Sequence, residues 1–250
     1  MGMYPRNCEK PIDLDQFPKC EGVADLIYNP EKTALILQAE QKGIAHTGGL
    51  YMLVAQGAKA SEYFLRTKYD DSVIERVYNE VNTKMRNIVL VGMPGCGKSS
   101  VGRALARILE RPFVDSDDYI TETEGRTPAQ IIEQDGVESF RKIESAALCE
   151  LTKCSGIVLA TGGGVVTVPE NYGYLRQNGR VFFIERNVAR LATAGRPLSA
   201  GGAERLKAMY EARLPLYLSV SDHTVKAEEN CGAETTAKKI IDRFFKSDQL

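Results

Sequence analysis

Tryptophan is absent from this 250-residue chain, and histidine occurs only at His46 and His223. Neither histidine lies beside a cysteine or carboxylate cluster, so nothing marks a dedicated zinc site or an imidazole base. Cys8, Cys20, Cys96, Cys149, Cys154 and Cys231 are scattered, with no C-x-x-C pair. Dense disulfide frameworks belong to small secreted domains, so free thiols in a reducing compartment are expected. No apolar run approaches the roughly 20 residues that span a bilayer. The first residues also lack the charged-then-apolar pattern of a signal peptide. The expectation is a cytoplasmic chain with no membrane partner. A surplus of either charge is missing too: 32 basic against 33 acidic side chains leave a net charge of -1. Residues 1–86 carry 11 basic and 12 acidic groups, and residues 87–250 carry 21 of each. Nucleic-acid and polybasic membrane binding both need excess positive charge to meet phosphates, so neither partner is expected.

What the chain does hold is 43% hydrophobic and 26% charged residues, ordinary for a globular protein with a proper core. Its length suits one large domain or two modest ones. From about residue 87, short β-rich runs alternate with helical patterns, as in a parallel sheet wrapped by helices. Strands are expected at 87–91, 113–114, 156–160, 181–184 and 224–225. Helices are expected at 99–109, 127–134, 137–152, 203–218 and 235–246. Val101, Leu105, Ile108 and Leu109 should line the buried face of the first of these. Near-continuous Val, Ile and Leu in the strands indicates burial on both faces, the habit of α/β folds. The first 86 residues differ: a strand at 23–28, then helices at 33–42, 50–65 and 71–84, with no partner strand. A lone strand leaves its backbone groups unsatisfied, so this part reads as an incomplete domain.

Gly92-Met-Pro-Gly-Cys-Gly-Lys98-Ser99 fits G-x-x-x-x-G-K-[ST] between a predicted strand and a predicted helix. Glycines let backbone N–H groups turn inward around phosphate oxygens, and the helix N-terminus adds partial positive charge. Gly95, Cys96, Gly97, Lys98, Ser99 and Ser100 are therefore the ATP-binding candidates. Lys98 supplies a cation, and the Ser99 hydroxyl a ligand for Mg²⁺.

Five further constellations bear on the acceptor. Asp115-Ser116-Asp117 follows the second strand, where alternation would turn both carboxylates to one side. One could hold Mg²⁺ while the other accepts from a substrate hydroxyl. Equally, Asp117 or Asp118 could cap a helix over 119–123. Arg141 and Glu144 lie three apart on a helix, either as a site pair or as a surface ion pair. Thr161-Gly162-Gly163-Gly164 ends a buried strand, where open α/β sheets collect ligands. Arg196 precedes a loop rich in Ser, Ala and Gly, suited to a lid over a transferring phosphoryl group. Arg213 ends a long helix and, with Arg141, would suit bidentate capture of a carboxylate.

Taken together, the P-loop, Phe-Val-Asp115-Ser-Asp117, Phe140-Arg141-x-x-Glu144, Gly162–Gly164, Arg196-Pro-Leu and Arg213-x-Pro-Leu-Tyr217 resemble the shikimate kinase family over about residues 87–248. The resemblance implies a P-loop three-layer α/β fold of nucleoside monophosphate kinase type. It implies ATP-dependent phosphorylation of the 3-hydroxyl of shikimate, on the way to chorismate and aromatic amino acids. Asp117, Arg141, Gly163, Gly164 and Arg213 would hold shikimate, with Glu144 in support. Lys98, Asp117 and Arg196 would be catalytic, and Ser99 and Asp115 would place Mg²⁺. One departure concerns adenine: where some members carry a stacking arginine, this chain has Ala189 with Arg190 beside it.

Residues 1 to about 70 resemble the C-terminal end of shikimate dehydrogenase, through Gly2-Met-Tyr-Pro5, Asp25-Leu-Ile-Tyr28-Asn-Pro30-x-x-Thr33 and Gly49-x-x-Met52-Leu-Val-x-Gln56. Gln56 falls where that family contacts shikimate, and Tyr28 near it. The family's catalytic Lys and Asp and its glycine-rich dinucleotide loop lie upstream of the matched part. Residues 1–86 therefore resemble a truncated dehydrogenase tail, without dehydrogenase activity from this chain alone. Docking to another shikimate-pathway protein is one role open to it. Two alternatives stand beside the kinase reading. One is another small-molecule P-loop kinase, for gluconate or a nucleoside monophosphate; the other is a non-catalytic fragment completing a dehydrogenase in trans.

Overall fold

The computed structural model describes residues 1–188, 191, 202–227 and 232–246. Contacts divide it into two units, Met1–Arg86 with Arg176–Asn178, and Asn87–Leu175 with Gly179–Leu250.

In the first unit, strand β1 (Gly22–Ala24) pairs in parallel with β2 (Ala45–Thr47) across helix α1 (Ala34–Gln41). The predicted lone strand thus has a partner, and it stops four residues before its expected end at residue 28. Asp25 Oδ1 accepts from the Ile27 amide at 3.1 Å and Oδ2 from the Thr33 hydroxyl at 2.7 Å, which turns the chain out of the ladder. β2 escaped prediction because its three residues are all solvent-exposed and carry no alternation. Thr33 caps α1, whose Leu35 and Ala39 pack with Leu14 into a small core. Helices α2 (Leu50–Leu65) and α3 (Asp71–Met85) follow as the periodicity predicts, α3 capped by Asp70. Arg86 is clamped in bidentate fashion by Glu31, at 2.9 Å and 2.5 Å.

The second unit is built on a parallel five-stranded sheet. Its strands are β3 (Asn87–Val91), β4 (Phe113–Asp115), β5 (Val158–Ala160), β6 (Gly179–Glu185) and β7 (His223–Lys226), in spatial order β4-β5-β3-β6-β7. Every residue of the central β3 is buried, which explains its unbroken apolar run. Its one polar residue, Asn87, is satisfied on both sides: Nδ2 donates to Cys154 O and Oδ1 accepts from the Ile157 amide. Helices α4 (Lys98–Leu109), α5 (Ser116–Glu124), α6 (Pro128–Leu151), α7 (Asn171–Gln177), α8 (Gly202–Val220) and α9 (Ala233–Lys246) complete the described part. Val101, Ala104 and Leu105 of α4 face the core, while Ile108, in its last turn, is exposed instead of buried. The two helices predicted over 127–152 run together as α6, broken at Gly136, whose φ of 87° is not helical. Thr127 and Gln130 close a capping box at its start. Because all five strands run parallel, the segments leaving β3, β4, β5 and β6 emerge at one edge of the sheet.

Candidate active site

The loop leaving β3 turns into α4 through Gly97, whose φ of 99° is open to glycine and costly for a side chain. That turn presents the first amides of α4 outward with no side chain capping them. Lys98 is buried, and its Nζ donates to the Gly92 and Met93 carbonyls at 2.8 Å and 3.0 Å. Cys96 is fully buried among apolar residues, so it offers the site its backbone and not its thiol.

The loop leaving β4 corrects one reading. Neither Asp117 nor Asp118 is the helix cap: Asp115 is, its Oδ1 accepting from the Asp117 amide at 3.0 Å. Strand geometry ends at Asp115, so the two carboxylates are set by a cap and a first helical turn and not by strand alternation. Asp115 Oδ2 takes the Ser99 hydroxyl at 2.6 Å, which brings the two predicted metal ligands together.

Asp117 Oδ1 is buried and finds no hydrogen-bond partner among the described residues, and Glu144 Oε1 shares that condition. Burial, then the neighbouring Asp115 and Glu144 charges, push the Asp117 carboxyl up to about 6. Burial also raises Glu144, against the opposing pull of Arg141. The Arg141–Glu144 pair, at 2.5 Å, is no surface pair: Glu144 is 1% exposed and Arg141 14%.

The loop leaving β5 is pinned by Thr161, whose hydroxyl donates to Leu90 O, and by the Gly162 amide, which donates to Ser116 Oγ. Side chains are excluded along it. A Cβ at Gly164 would strike the Arg141 guanidinium, and one at Gly163 would meet the Pro94 ring at 2.6 Å. From α8, Arg213 donates to Gly163 O at 3.1 Å and the Tyr217 hydroxyl to the same oxygen at 2.5 Å. Gly95, Gly97, Lys98, Ser99, Ser100, Asp115, Asp117, Arg141, Glu144, Gly163, Gly164 and Arg213 line one cleft of about 710 Å³. That volume suits a small-molecule site. Arg196, Ala189 and Arg190 lie outside the described residues.

Sequence reasoning overlooked three contributors. Ser116 holds Gly162, and Tyr217, quoted only as part of a motif, holds Gly163. Arg186, one residue past β6, lines the same cleft. An arginine directly following a buried apolar strand was the available signal for the last.

One end of the cleft therefore offers amides and a lysine, and the other offers two carboxylates and two arginines. A family model described as shikimate kinase matches residues 94–245, more than half of the chain. The chain belongs to the shikimate kinase family. A shikimate kinase of Vibrio parahaemolyticus is 42% identical over 163 residues, covering 62% of this chain and 94% of that one. A shikimate kinase of Prochlorococcus marinus is 41% identical over 152 residues, covering 58% of this chain and 76% of its own length. The solved structure of a shikimate kinase from Acinetobacter baumannii in complex with shikimate superposes with a TM-score of 0.63. It is 36% identical and covers 68% of this chain and 98% of that one. A shikimate dehydrogenase 1 structure from Peptoclostridium difficile covers 32% of this chain and 30% of its own, at 36% identity and a TM-score of 0.31. As a shikimate kinase, the chain is a phosphotransferase whose sheet and cleft belong to the P-loop kinase architecture.

Proposed function

We propose that this chain transfers the terminal phosphoryl group of ATP to the 3-hydroxyl of shikimate, with Mg²⁺ as its metal. The observation that carries the reading is the Asp117 Oδ1 atom, buried and unpartnered in the cleft that the P-loop also lines. A buried acceptor without a donor calls for one from a ligand.

The donor end fits a nucleotide and its metal. Backbone amides of Gly95 to Ser100 and the Lys98 ammonium would hold the phosphates. Ser99 and Asp115 supply adjoining hard oxygen donors of the kind magnesium takes. When bound, the metal neutralises phosphate charge and polarises the phosphorus–oxygen bonds. At the acceptor end, Arg141 and Arg213 would take the shikimate carboxylate, and Glu144 holds Arg141 in place. Gly163 and Gly164 allow the ring to approach the backbone closely. Asp117 Oδ1 accepts the proton that the 3-hydroxyl gives up, a role suited to a carboxyl whose proton affinity is raised toward neutrality. Arg196 keeps the lid role that the family likeness implies. The family match favours shikimate over gluconate or a nucleoside monophosphate.

Kinase chemistry in this reading belongs to residues 87–250, and residues 1–86 form a dehydrogenase-like docking segment. Tyr63 and Phe64, 86% and 87% exposed at the end of α2, support docking to another shikimate-pathway protein. Co-elution with a separately produced dehydrogenase would support that role, and separate elution would contradict it. The five described cysteines are free thiols, which supports a reducing compartment such as the cytoplasm. Among the described residues no helix is long and apolar enough to cross a membrane. Phosphorus NMR of a reaction holding ATP, Mg²⁺ and shikimate tests the activity. A new phosphomonoester coupled to the ring proton at C3 is expected; unchanged ATP, or a phosphate on another oxygen, refutes the reading.

A further inference from the structure

Arg186 has no part in the scheme above, yet it stands at the nucleotide end of the cleft. It follows directly on β6, which lies beside β3 in the sheet. β6 runs hard against the P-loop: a Cβ on Gly92 would come within 2.7 Å of Ile184 O. Two residues on, the Arg186 guanidinium reaches the other end of the loop. Its Nη2, Cζ and Nη1 atoms stand 3.8, 3.9 and 4.0 Å from where a Cβ on Gly97 would be. Gly97 is the residue from which α4 starts and its free amides open. The planar group thus lies along the mouth of the loop, within the cleft lining.

The two cations at this end are in different condition. Lys98 is buried and already donates to two carbonyls of its own loop. Arg186 has neither a carboxylate partner nor a hydrogen-bond acceptor among the described residues. A planar guanidinium at amides that open toward an anion is placed for two-pronged contact with phosphate oxygens. It also stands apart from the acceptor arginines: Arg213 bonds Gly163, and Arg141 packs where Gly164 lacks a side chain.

We propose that Arg186 is a phosphate-contacting residue of the nucleotide site, binding the phosphate chain of the donor and neither its base nor the acceptor. The inference rests on the P-loop being that site. It supplies a cation from β6 at the loop's Gly97 end, in addition to Lys98. Its effect is on nucleotide affinity in the resting protein, before any transfer.

The test is calorimetric binding of ADP, adenosine and shikimate, each alone, to the full chain and to its Arg186→Gln and Arg186→Lys variants. Arg186→Gln is expected to weaken ADP at least tenfold while adenosine and shikimate change less than twofold. Arg186→Lys, which keeps the charge and loses the fork, should recover most of the ADP loss. With wild type alone, ADP affinity should fall steeply with added salt, so the proposal stands testable even if Arg186→Gln does not fold. ADP affinity unchanged in Arg186→Gln, or insensitive to salt in wild type, overturns the proposal. Equal loss of ADP and adenosine assigns Arg186 to the base and overturns it too, as does a matching loss of shikimate. Failure of wild type to bind ADP at all would instead overturn the nucleotide assignment of the P-loop.

Discussion

The two ends of the cleft are built on opposite principles. At the P-loop end three key side chains are satisfied within the protein: Lys98 on two carbonyls, Ser99 on Asp115, Asp115 capping α5. At the Gly162–Gly164 end satisfaction is incomplete, for Asp117 Oδ1 and Glu144 Oε1 are buried without partners among the described residues, and both carboxyls hold protons more tightly than usual. The P-loop end, with its uncapped α4 amides, is thus suited to a phosphate chain that many proteins bind. The other end carries buried carboxylate oxygens that a specific ligand would satisfy. Such an arrangement costs stability in the free protein and returns it on binding.

Asp117→Asn should break this contrast most severely. Turnover is expected to fall by about 10²–10⁴, the usual contribution of a positioned base. The same change should stabilise the free protein. A carboxyl raised from 3.8 to about 6 keeps its stabilising proton below pH 3.8 and loses it as pH climbs through 6. Ionised Asp117 therefore costs about 3 kcal/mol at pH 8, and the variant's gain in melting temperature there should shrink toward pH 4. Equal melting curves at pH 8 would show that Asp117 is not strained.

Arg141→Ala comes next. Loss of a charge-assisted contact costs about 1.5–3 kcal/mol, so the KM for shikimate should rise by about 10- to 100-fold with the KM for ATP unchanged. Parallel rises in both would erase the distinction between the two ends. In wild type, kcat/KM for shikimate should fall about tenfold per pH unit below 6, as Asp117 takes up its proton. A flat profile from pH 5 to 7 would remove Asp117 as the proton acceptor. The smallest effect is a control outside the cleft lining: Asp70→Ala removes the α3 cap and should cost about 1 kcal/mol in stability, leaving both KM values alone.

Strands buried on both faces were legible because apolar residues run through them unbroken, and α1 and α3 because a capping side chain precedes each helical pattern. β2 was not, since three exposed residues form a strand only through what lies beside them. In the cleft, the candidates carried by compact motifs, apart from the buried Cys96 and the undescribed Arg196, line one cavity. Asp115 was not read as the helix cap, because capping depends on where β4 stops. Arg186 and Tyr217 stayed hidden for a topological reason. Their partners, Gly97 and Gly163, lie 89 and 54 residues away in sequence and meet them only once β6 and α8 are in place. Tyr217 also stacks on Phe183 of β6 with ring centroids 4.9 Å apart, a contact no local pattern announces.

ADP release from ATP and Mg²⁺, measured across shikimate, gluconate and a nucleoside monophosphate, tests the central claim most directly. Shikimate is predicted to drive release at a kcat/KM at least about 10³ above either rival, since only a ring that holds its carboxylate and 3-hydroxyl at a fixed separation would pair the two arginines and Asp117 at once. Release with gluconate or the monophosphate but none with shikimate would contradict the account.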